Sequence, residues 1–341
     1  MMPVRAAAIA AVALALAPLS AGAQTEAAAS ERGTFTLEFE NDYFGFSGAD
    51  RHYTTGTRLS WLSAPTNPES APDWATGPYA AWPTFAPEGQ RRWGFAIGQN
   101  IYTPANVDLA TPDPNDRPYA GWLYVAVSLN TQTATRLDTL ELDLGVVGPA
   151  AQAEQVQNNF HHLIGTPKSH GWDHQLKNEP AGMLVGERRW RVLPQEPLFG
   201  SRSLNADIIG VGGASLGTVQ TYGSVGVIFR IGRDLMADFG PPHIRPSLPG
   251  SGTFDPGSGF NWYLFGGAEG RAVARDIFLD GNTFVDSPSV DKNNFVGDFA
   301  LGIAATYGSM RASFTQIYRT KEFKTQDGND RFGAISLSWR F

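Results

Sequence analysis

Two groups of polar residues, far apart in the sequence, are of types that could activate a water molecule beside a cation. The first group contains Asn41 and Asp42, which end an alternating segment, and Thr54, which lies in the next one. The second contains Gln157 and His161, whose i, i+4 spacing puts them on one side of a helix. A neutral imidazole can deprotonate water near neutral pH. Amide, carboxylate and hydroxyl oxygens are the ligands that calcium prefers.

The first residues of the chain have the pattern of an export signal. Arg5 precedes an apolar run over residues 6–19, and residues 21–23 form an A-x-A-like cleavage site. We therefore expect residues 1–23 to be removed and residues 24–341 to form one domain. The absence of cysteine excludes disulfides and thiolate metal sites, and the net charge of −7 argues against a nucleic-acid partner.

Apolar and polar residues alternate in many short segments of the remaining chain. In the last of them Ile335, Leu337 and Trp339 share one face, while Ser336 and Ser338 share the other, which is the lipid-out, lumen-in pattern of a transmembrane strand. We count twelve such segments, an even number that suits a closed barrel. The sequence thus predicts an all-β, transmembrane, antiparallel up-and-down barrel in the outer membrane. The predicted strands are 34–42, 53–63, 91–102, 119–131, 136–147, 179–193, 203–213, 217–232, 260–278, 293–307, 309–323 and 331–341.

One segment between the fifth and sixth strands has a helical period. In residues 151–165, Val156, Phe160, Leu163 and Ile164 recur at i, i+4, i+7 and i+8. Successive connections of such a barrel alternate between its rims, so this helix and the polar end of the first strand share the extracellular rim.

The polar end of the first strand is expected to lie beside this helix. If Phe39 faces lipid, Asn41 continues that outward face, and Asp42 points toward the lumen. An unpaired amide at a lipid boundary is costly. We therefore expect the helix, lying on the outer wall, to supply a partner for Asn41.

Several motifs in these segments resemble the family of outer-membrane lipid A 3′-O-deacylases. They are "FEND", "YTTG", "GQNIYTP", "DRPYAGW", "QVQNNFHHLIG" and "GWDHQLKNEP". The resemblance implies a twelve-stranded barrel that hydrolyses the 3′ acyloxyacyl ester of lipid A and depends on calcium. It implies lipopolysaccharide and outer-membrane lipid as partners, and no obligate protein partner is evident.

The resemblance also assigns roles to particular residues. The expected catalytic set, with His161 as general base, is Asn41, Asp42, Thr54, Gln157 and His161. A family member carries a carboxylate six residues after the histidine, whereas this chain has Pro167 there. Glu179 is the expected substitute, so that the predicted calcium ligands are Asn41, Asp42, Thr54 and Glu179.

Three other interpretations remain open at this stage. The chain could be a phospholipase-like serine hydrolase barrel, although no serine is obviously partnered with His161. It could be a non-enzymatic porin or adhesin, because small residues at lumen positions permit a channel. His170 and His174 are spaced i, i+4 and could suggest zinc, but Gly171 lies between them and makes a helical two-histidine site unfavourable.

Overall fold

The computed structural model describes residues 33–45, 51–66, 71–200, 203–246, 252–256 and 259–341. The predicted export signal, residues 1–23, lies outside these ranges. Within them, no helix has both the length and the apolar character needed to cross a membrane.

Twelve antiparallel strands of the described chain form a closed barrel. Each strand pairs with its neighbours in chain order, and the first pairs with the last. The strands are β1 (Thr34–Asn41), β2 (His52–Leu62), β3 (Gln90–Thr103), β4 (Ala120–Gln132), β5 (Arg136–Val147), β6 (Glu179–Pro197), β7 (Asn205–Gly217), β8 (Gln220–Gly232), β9 (Phe260–Asp276), β10 (Phe295–Tyr307), β11 (Met310–Arg319) and β12 (Asp330–Arg340). The predicted fold class is confirmed. The largest boundary errors are four residues: β6 and β7 end four residues after their predicted ends, and β11 ends four residues before its predicted end.

The alternation in the sequence becomes the two faces of the barrel wall. On β10, Phe299, Leu301 and Ile303 face outward and are exposed, while Asp298 and Ala300 face inward and are buried. An apolar outer surface with a polar lumen is the arrangement that a bilayer imposes on a closed barrel.

The connection between β8 and β9 folds into the lumen. Its Ile244 amide donates to Glu40 of β1 over 3.0 Å, and its Phe254 carbonyl accepts from Arg340 of β12 over 2.7 Å. Phe239, Ile244 and Phe254 are buried inside the barrel. The open lumen that the porin interpretation requires is therefore occupied by this connection.

Asp238 fastens the connection to the inner wall. Its carboxylate accepts from Arg230 over 2.5 Å, from Arg311 over 2.8 Å and from the Tyr263 hydroxyl over 2.9 Å. All four side chains are buried. A buried charge of this kind needs such partners, because an unpaired one is strongly destabilising.

The connections, as far as they are described, contain three α-helices: α1 (Asp73–Ala81), α2 (Ala153–Ile164) and α3 (Ile277–Asp280). The helix predicted over residues 151–165 is confirmed as α2. The sequence analysis missed α1, whose nine residues include Gly77 and Pro78 and show little periodicity. This helix packs on the outer wall at the opposite rim, where the Tyr79 hydroxyl donates to the Arg92 carbonyl over 2.5 Å.

Candidate active site

Helix α2 lies across the outer face of the first four strands. At its start, a Cβ on Gly121 of β4 would come within 2.4 Å of the Ala153 Cβ, so only glycine permits this close approach. Near its end, the ring centroid of Phe160 lies 6.3 Å from that of Phe39 on β1. The second half of α2 is thereby placed next to the extracellular end of β1.

The face of α2 that turns toward the wall carries the predicted catalytic pair. Gln157 and His161 are buried together with Ala153, which completes an i, i+4, i+8 stripe. Val156 and Leu163, two members of the predicted apolar stripe, are instead 43% and 80% exposed. The helix therefore presents its polar pair to the barrel and apolar side chains to its surroundings.

His161 is held by the backbone of the segment that follows α2. Its Nδ1 lies 2.6 Å from the carbonyl oxygen of Pro167. A carbonyl can only accept, so Nδ1 donates, and a neutral ring then keeps its lone pair on Nε2. Pro167 occupies the position where the resemblance led us to look for a carboxylate, and its backbone oxygen contacts the imidazole there.

The end of α2 explains how that carbonyl reaches the ring. Gly165 adopts a left-handed conformation with φ of 74°, and its amide donates back to the His161 carbonyl. The Thr166 amide donates to the same oxygen over 2.8 Å. The chain then turns back along the helix, where the Ser169 amide donates to the Asn158 side chain over 3.0 Å.

Gln157 is oriented by an indole that the sequence analysis did not single out. The Trp172 Nε1–H donates to the Gln157 Oε1 over 2.8 Å, and both side chains are buried. The ring of Trp172 packs against Tyr119, with centroids 4.8 Å apart. Because Oε1 is directed at Trp172, the amide NH₂ of Gln157 is the group left to face other partners. Trp172 lies in the quoted "GWDHQLKNEP" motif, but that motif could not reveal its partner.

Asn41 joins β1 to a bulge in β2. Its Nδ2 donates to the Thr54 carbonyl over 2.9 Å and to the Thr55 hydroxyl over 2.8 Å, while its Oδ1 accepts from the Tyr43 amide. The register between β2 and β3 shifts between Tyr53 and Thr55, so Thr54 is the extra residue. Asn41 continues the outward face as expected, but these bonds come from its own hairpin. These bonds account for the buried amide of Asn41 without α2, which we had expected to supply its partner.

Asp42 and Thr54 complete a group of possible oxygen ligands for a metal at the extracellular end of β1. Asp42 opens a short 3₁₀ turn, Asp42–Gly45, and its Oδ2 accepts from the Arg51 amide over 2.6 Å. The Thr54 hydroxyl lies 2.8 Å from that of Thr103. Together with Asn41 they offer only oxygen ligands and one carboxylate, which suits calcium rather than a softer metal. Within the described ranges, no group of three or more His, Cys, Asp or Glu side chains could hold a metal.

Comparison with known proteins places this chain in a family. Residues 8–341 match the model of the LpxR outer membrane protein family. The chain belongs to this family. The resemblance stated from the motifs is thus confirmed, and the protein is an outer-membrane protein.

Solved structures that resemble this LpxR-family chain include the following two. It is similar to LpxR from Salmonella typhimurium, with 21% identity and a TM-score of 0.71, over 90% of this chain and 100% of that one. It is more distantly similar to the β domain of the Bordetella autotransporter BrkA, with 9% identity and a TM-score of 0.44, over 91% of this chain and 98% of that one. No curated protein sequence matches the chain.

Glu179 of this LpxR-family protein is engaged by a different connection. Its Oε2 accepts from the Asn282 side chain over 3.1 Å and from the Thr283 amide over 2.8 Å. The carboxylate therefore fastens the start of β6 to the connection between β9 and β10. This leaves Asn41, Asp42 and Thr54 as the candidate calcium ligands.

His170 and His174, the pair considered for zinc, are both exposed. His174 ends a 3₁₀ turn, Trp172–His174, rather than lying on an α-helix with His170. The i, i+4 geometry that a helical two-histidine zinc site requires is therefore missing here.

A second polar cluster joins three extracellular connections of this LpxR-family barrel. The His52 Nδ1 lies 2.7 Å from Asp330, and its Nε2 lies 3.5 Å from Asp116. Asp116 also accepts from the amides of Ala105 and Arg117, each over 2.7 Å. Burial raises the pKa of Asp116, but hydrogen bonds from His52 and these amides outweigh it and hold the pKa below its usual value.

The lowered pKa of Asp116 predicts that this part of the extracellular rim is less stable in acid. A carboxyl whose pKa is lowered by folding stabilises the fold above its ordinary pKa of about 4, and that stabilisation is lost as the pH falls toward the lowered value. We expect Asp116→Asn to increase amide hydrogen exchange in residues 103–118 by roughly tenfold at pH 7, since hydrogen bonds to a charged group are lost. The increase should shrink below pH 4. Asp113→Asn, in the same exposed connection, is the control, and equal exchange in both variants would contradict the assignment.

Proposed function

We propose that this protein is an outer-membrane esterase that hydrolyses the 3′ acyloxyacyl ester of lipid A, with His161 as general base and with calcium as cofactor. The observation that carries the proposal is the contact between His161 Nδ1 and the Pro167 carbonyl on the wall-facing side of α2. That contact orients the ring as a base, and the resemblance supplies the substrate class.

The chemistry that these residues support is direct attack by water. Nε2 of His161 accepts a proton from a water molecule as the water oxygen adds to the ester carbonyl. The tetrahedral intermediate then expels the hydroxyl-bearing sugar or acyl chain, and the imidazolium returns the proton to that leaving oxygen. Gln157, with its Oε1 directed at Trp172, is oriented to donate from its NH₂ to the water or the developing oxyanion.

Calcium bound by Asn41, Asp42 and Thr54 would polarise the ester carbonyl and neutralise the oxyanion. Asp42 supplies the negative charge of this set, while the amide and hydroxyl supply neutral oxygens. The hairpin bonds of Asn41 keep these donors in fixed positions before any cation binds.

The surroundings of the site suit a substrate with acyl chains. Val156 and Leu163 are exposed on the side of α2 that turns away from the wall. The outward residues Phe35 and Leu37 below the helix are also exposed. A lipid lying in the outer leaflet can therefore keep its chains against apolar surface while its ester bond reaches the polar pair.

The decisive experiment is mass spectrometry of lipid A after incubation with the purified, folded barrel in detergent. We expect loss of one acyloxyacyl group, suppression of that loss by a calcium chelator, and recovery on adding calcium. A fluorophosphonate probe should leave the protein unlabelled, whereas labelling would favour the serine-hydrolase interpretation. Unchanged lipid A in the presence of folded protein and calcium would overturn the proposal.

Trp172→Phe is expected to lower kcat while leaving KM nearly unchanged. Losing one neutral hydrogen bond to Gln157 costs about 1 kcal/mol, which corresponds to a rate decrease of roughly fivefold. Trp74→Phe is the matched control, because Trp74 is an exposed residue of α1 at the opposite rim. A change in KM alone would show that Trp172 affects lipid binding rather than the orientation of Gln157.

A further inference from the structure

A groove of about 770 Å³ lies in the outer wall, on the side of the barrel away from α2. It is formed by the extracellular ends of β8, β9 and β10, by Gly213 of β7 and by Thr320, which follows β11. In the closed strand order these strands lie nearly opposite the four that α2 covers. The exposed walls of the groove are Val225 and Phe295, which are 71% and 80% exposed. The outward-facing residues of its floor are Gly223, Gly270, Ala272 and Gly297.

The strand register explains why the wall is indented there. Gly223 pairs with Ala272, and in the next outward row Gly270 pairs with Gly297. A Cβ added to Gly223 or Gly270 would meet no atom within 4 Å, so the space above both residues is open. Two positions after Gly297 on β10, the outward side chain is the large, exposed Phe299, whereas Gly297 has no side chain.

Cationic side chains stand at the extracellular edge of the groove. Arg275 pairs with Thr221, just beyond the Gly223–Ala272 pair, and its guanidinium is fixed by bonds to the Gly281 carbonyl and the Thr283 hydroxyl, each 2.9 Å long. Lys321 follows Thr320 directly and is exposed.

A third cation near this edge is already neutralised. The Lys292 ammonium lies 2.8 Å from Asp280, so it adds little net charge. An apolar groove below Arg275 and Lys321 is therefore complementary to an amphiphile with a negative head group.

We propose that this groove is a second lipid-binding site, which holds a phosphorylated, multiply acylated lipid of the outer leaflet. The outward wall of an outer-membrane barrel faces lipid, so acyl chains are the apolar groups that reach this groove. Its volume lies within the usual range for ligand sites. The phosphate would lie at Arg275 and Lys321, since guanidinium and ammonium groups are the usual phosphate partners. This site binds lipid and contains none of the proposed deacylase residues.

The test counts the lipid molecules that remain bound in native mass spectrometry, with bis-phosphorylated lipid A as the probe. We expect the double variant Gly223→Leu, Gly270→Leu to retain one molecule fewer than the wild type, because leucine fills open space without a clash. Gly266→Leu is the matched control, since it faces outward on β9 outside the groove and a Cβ there makes ordinary contacts. We expect it to retain the wild-type number.

A second experiment tests the contact with the phosphate, using the variant Lys321→Glu and dephosphorylated lipid A. We expect charge reversal to lower the affinity of the second lipid molecule by roughly tenfold. Dephosphorylated lipid A should bind the wild type with a similarly lowered affinity. Deacylation should be the same in wild type and in the double glycine variant. If no variant deacylates lipid A, the proposed function fails while the lipid count still tests the groove. Equal lipid counts in the wild type and the double glycine variant would overturn this inference.

Discussion

His161→Gln is expected to reduce the rate of lipid A deacylation by about 10²–10⁴-fold, the usual contribution of a general base. Glutamine is similar in length and polar, so the buried position stays occupied, but its amide cannot accept a proton from water. The change removes the proton acceptor but leaves the proposed calcium ligands, Asn41, Asp42 and Thr54, in place. The rate is measured by mass spectrometry of lipid A in detergent, with calcium in excess.

His162→Gln provides the control for this prediction. His162 is the next residue of α2, but it is exposed, whereas His161 faces the wall. The two variants have the same composition and change the same helix, so they differ only in which face loses its imidazole. We expect His162→Gln to retain wild-type activity. A comparable loss in both variants would mean that α2 has been destabilised, and full activity in His161→Gln would exclude it as the base.

The sequence was sufficient to predict the barrel wall because one face of each strand contacts lipid and the other faces the polar lumen. Lipid outside and a polar lumen inside impose an alternation with period two, and this signal survives in every strand. Boundaries are less well determined where the alternation continues into a connection. The predicted β11 runs to residue 323, yet the chain leaves the wall after Arg319.

The details of the candidate site depend on contacts that no local pattern encodes. The partner of His161 is a backbone carbonyl, which every residue possesses. The sequence therefore suggested that Pro167 could not bind the imidazole, whereas its carbonyl oxygen does. The bond from Trp172 to Gln157 joins residues fifteen apart through a reversal of the chain. The sequence could place both residues on one connection, but not predict that they meet.

The filling of the lumen was also beyond the sequence analysis. Residues at inward positions of the strands are frequently small or charged, and either type is compatible with a channel. What fills the lumen is the long connection between β8 and β9, where Asp238 pairs with Arg230 of the preceding strand and with Arg311 of the distant β11. Charge pairing between residues 73 positions apart is visible only once the strands are arranged in space.

That pairing leads to the second prediction with a large effect, which concerns Asp238→Asn. A neutral amide cannot neutralise both the Arg230 and Arg311 guanidiniums, and breaking a buried ion pair by removing one partner costs about 3–5 kcal/mol. We expect the free energy of unfolding in urea, measured by tryptophan fluorescence in detergent, to fall by that amount. Because Asp238 also fastens the luminal connection, we expect the variant to show ion conductance in planar bilayers that the wild type lacks.

Asp234→Asn is the control for this prediction, since Asp234 begins the same connection but is exposed. Its carboxylate is contacted by the Asn261 side chain over 3.4 Å, and among the described residues it pairs with no buried arginine. We expect its stability and conductance to match the wild type. Arg230 also donates to the buried Asp207 over 2.9 Å. If Asp238→Asn unfolds at the same urea concentration as this control, Asp207 is enough to neutralise the buried arginines. If it is destabilised without conducting, the apolar packing of Phe239, Ile244 and Phe254 is enough to hold the connection in the lumen.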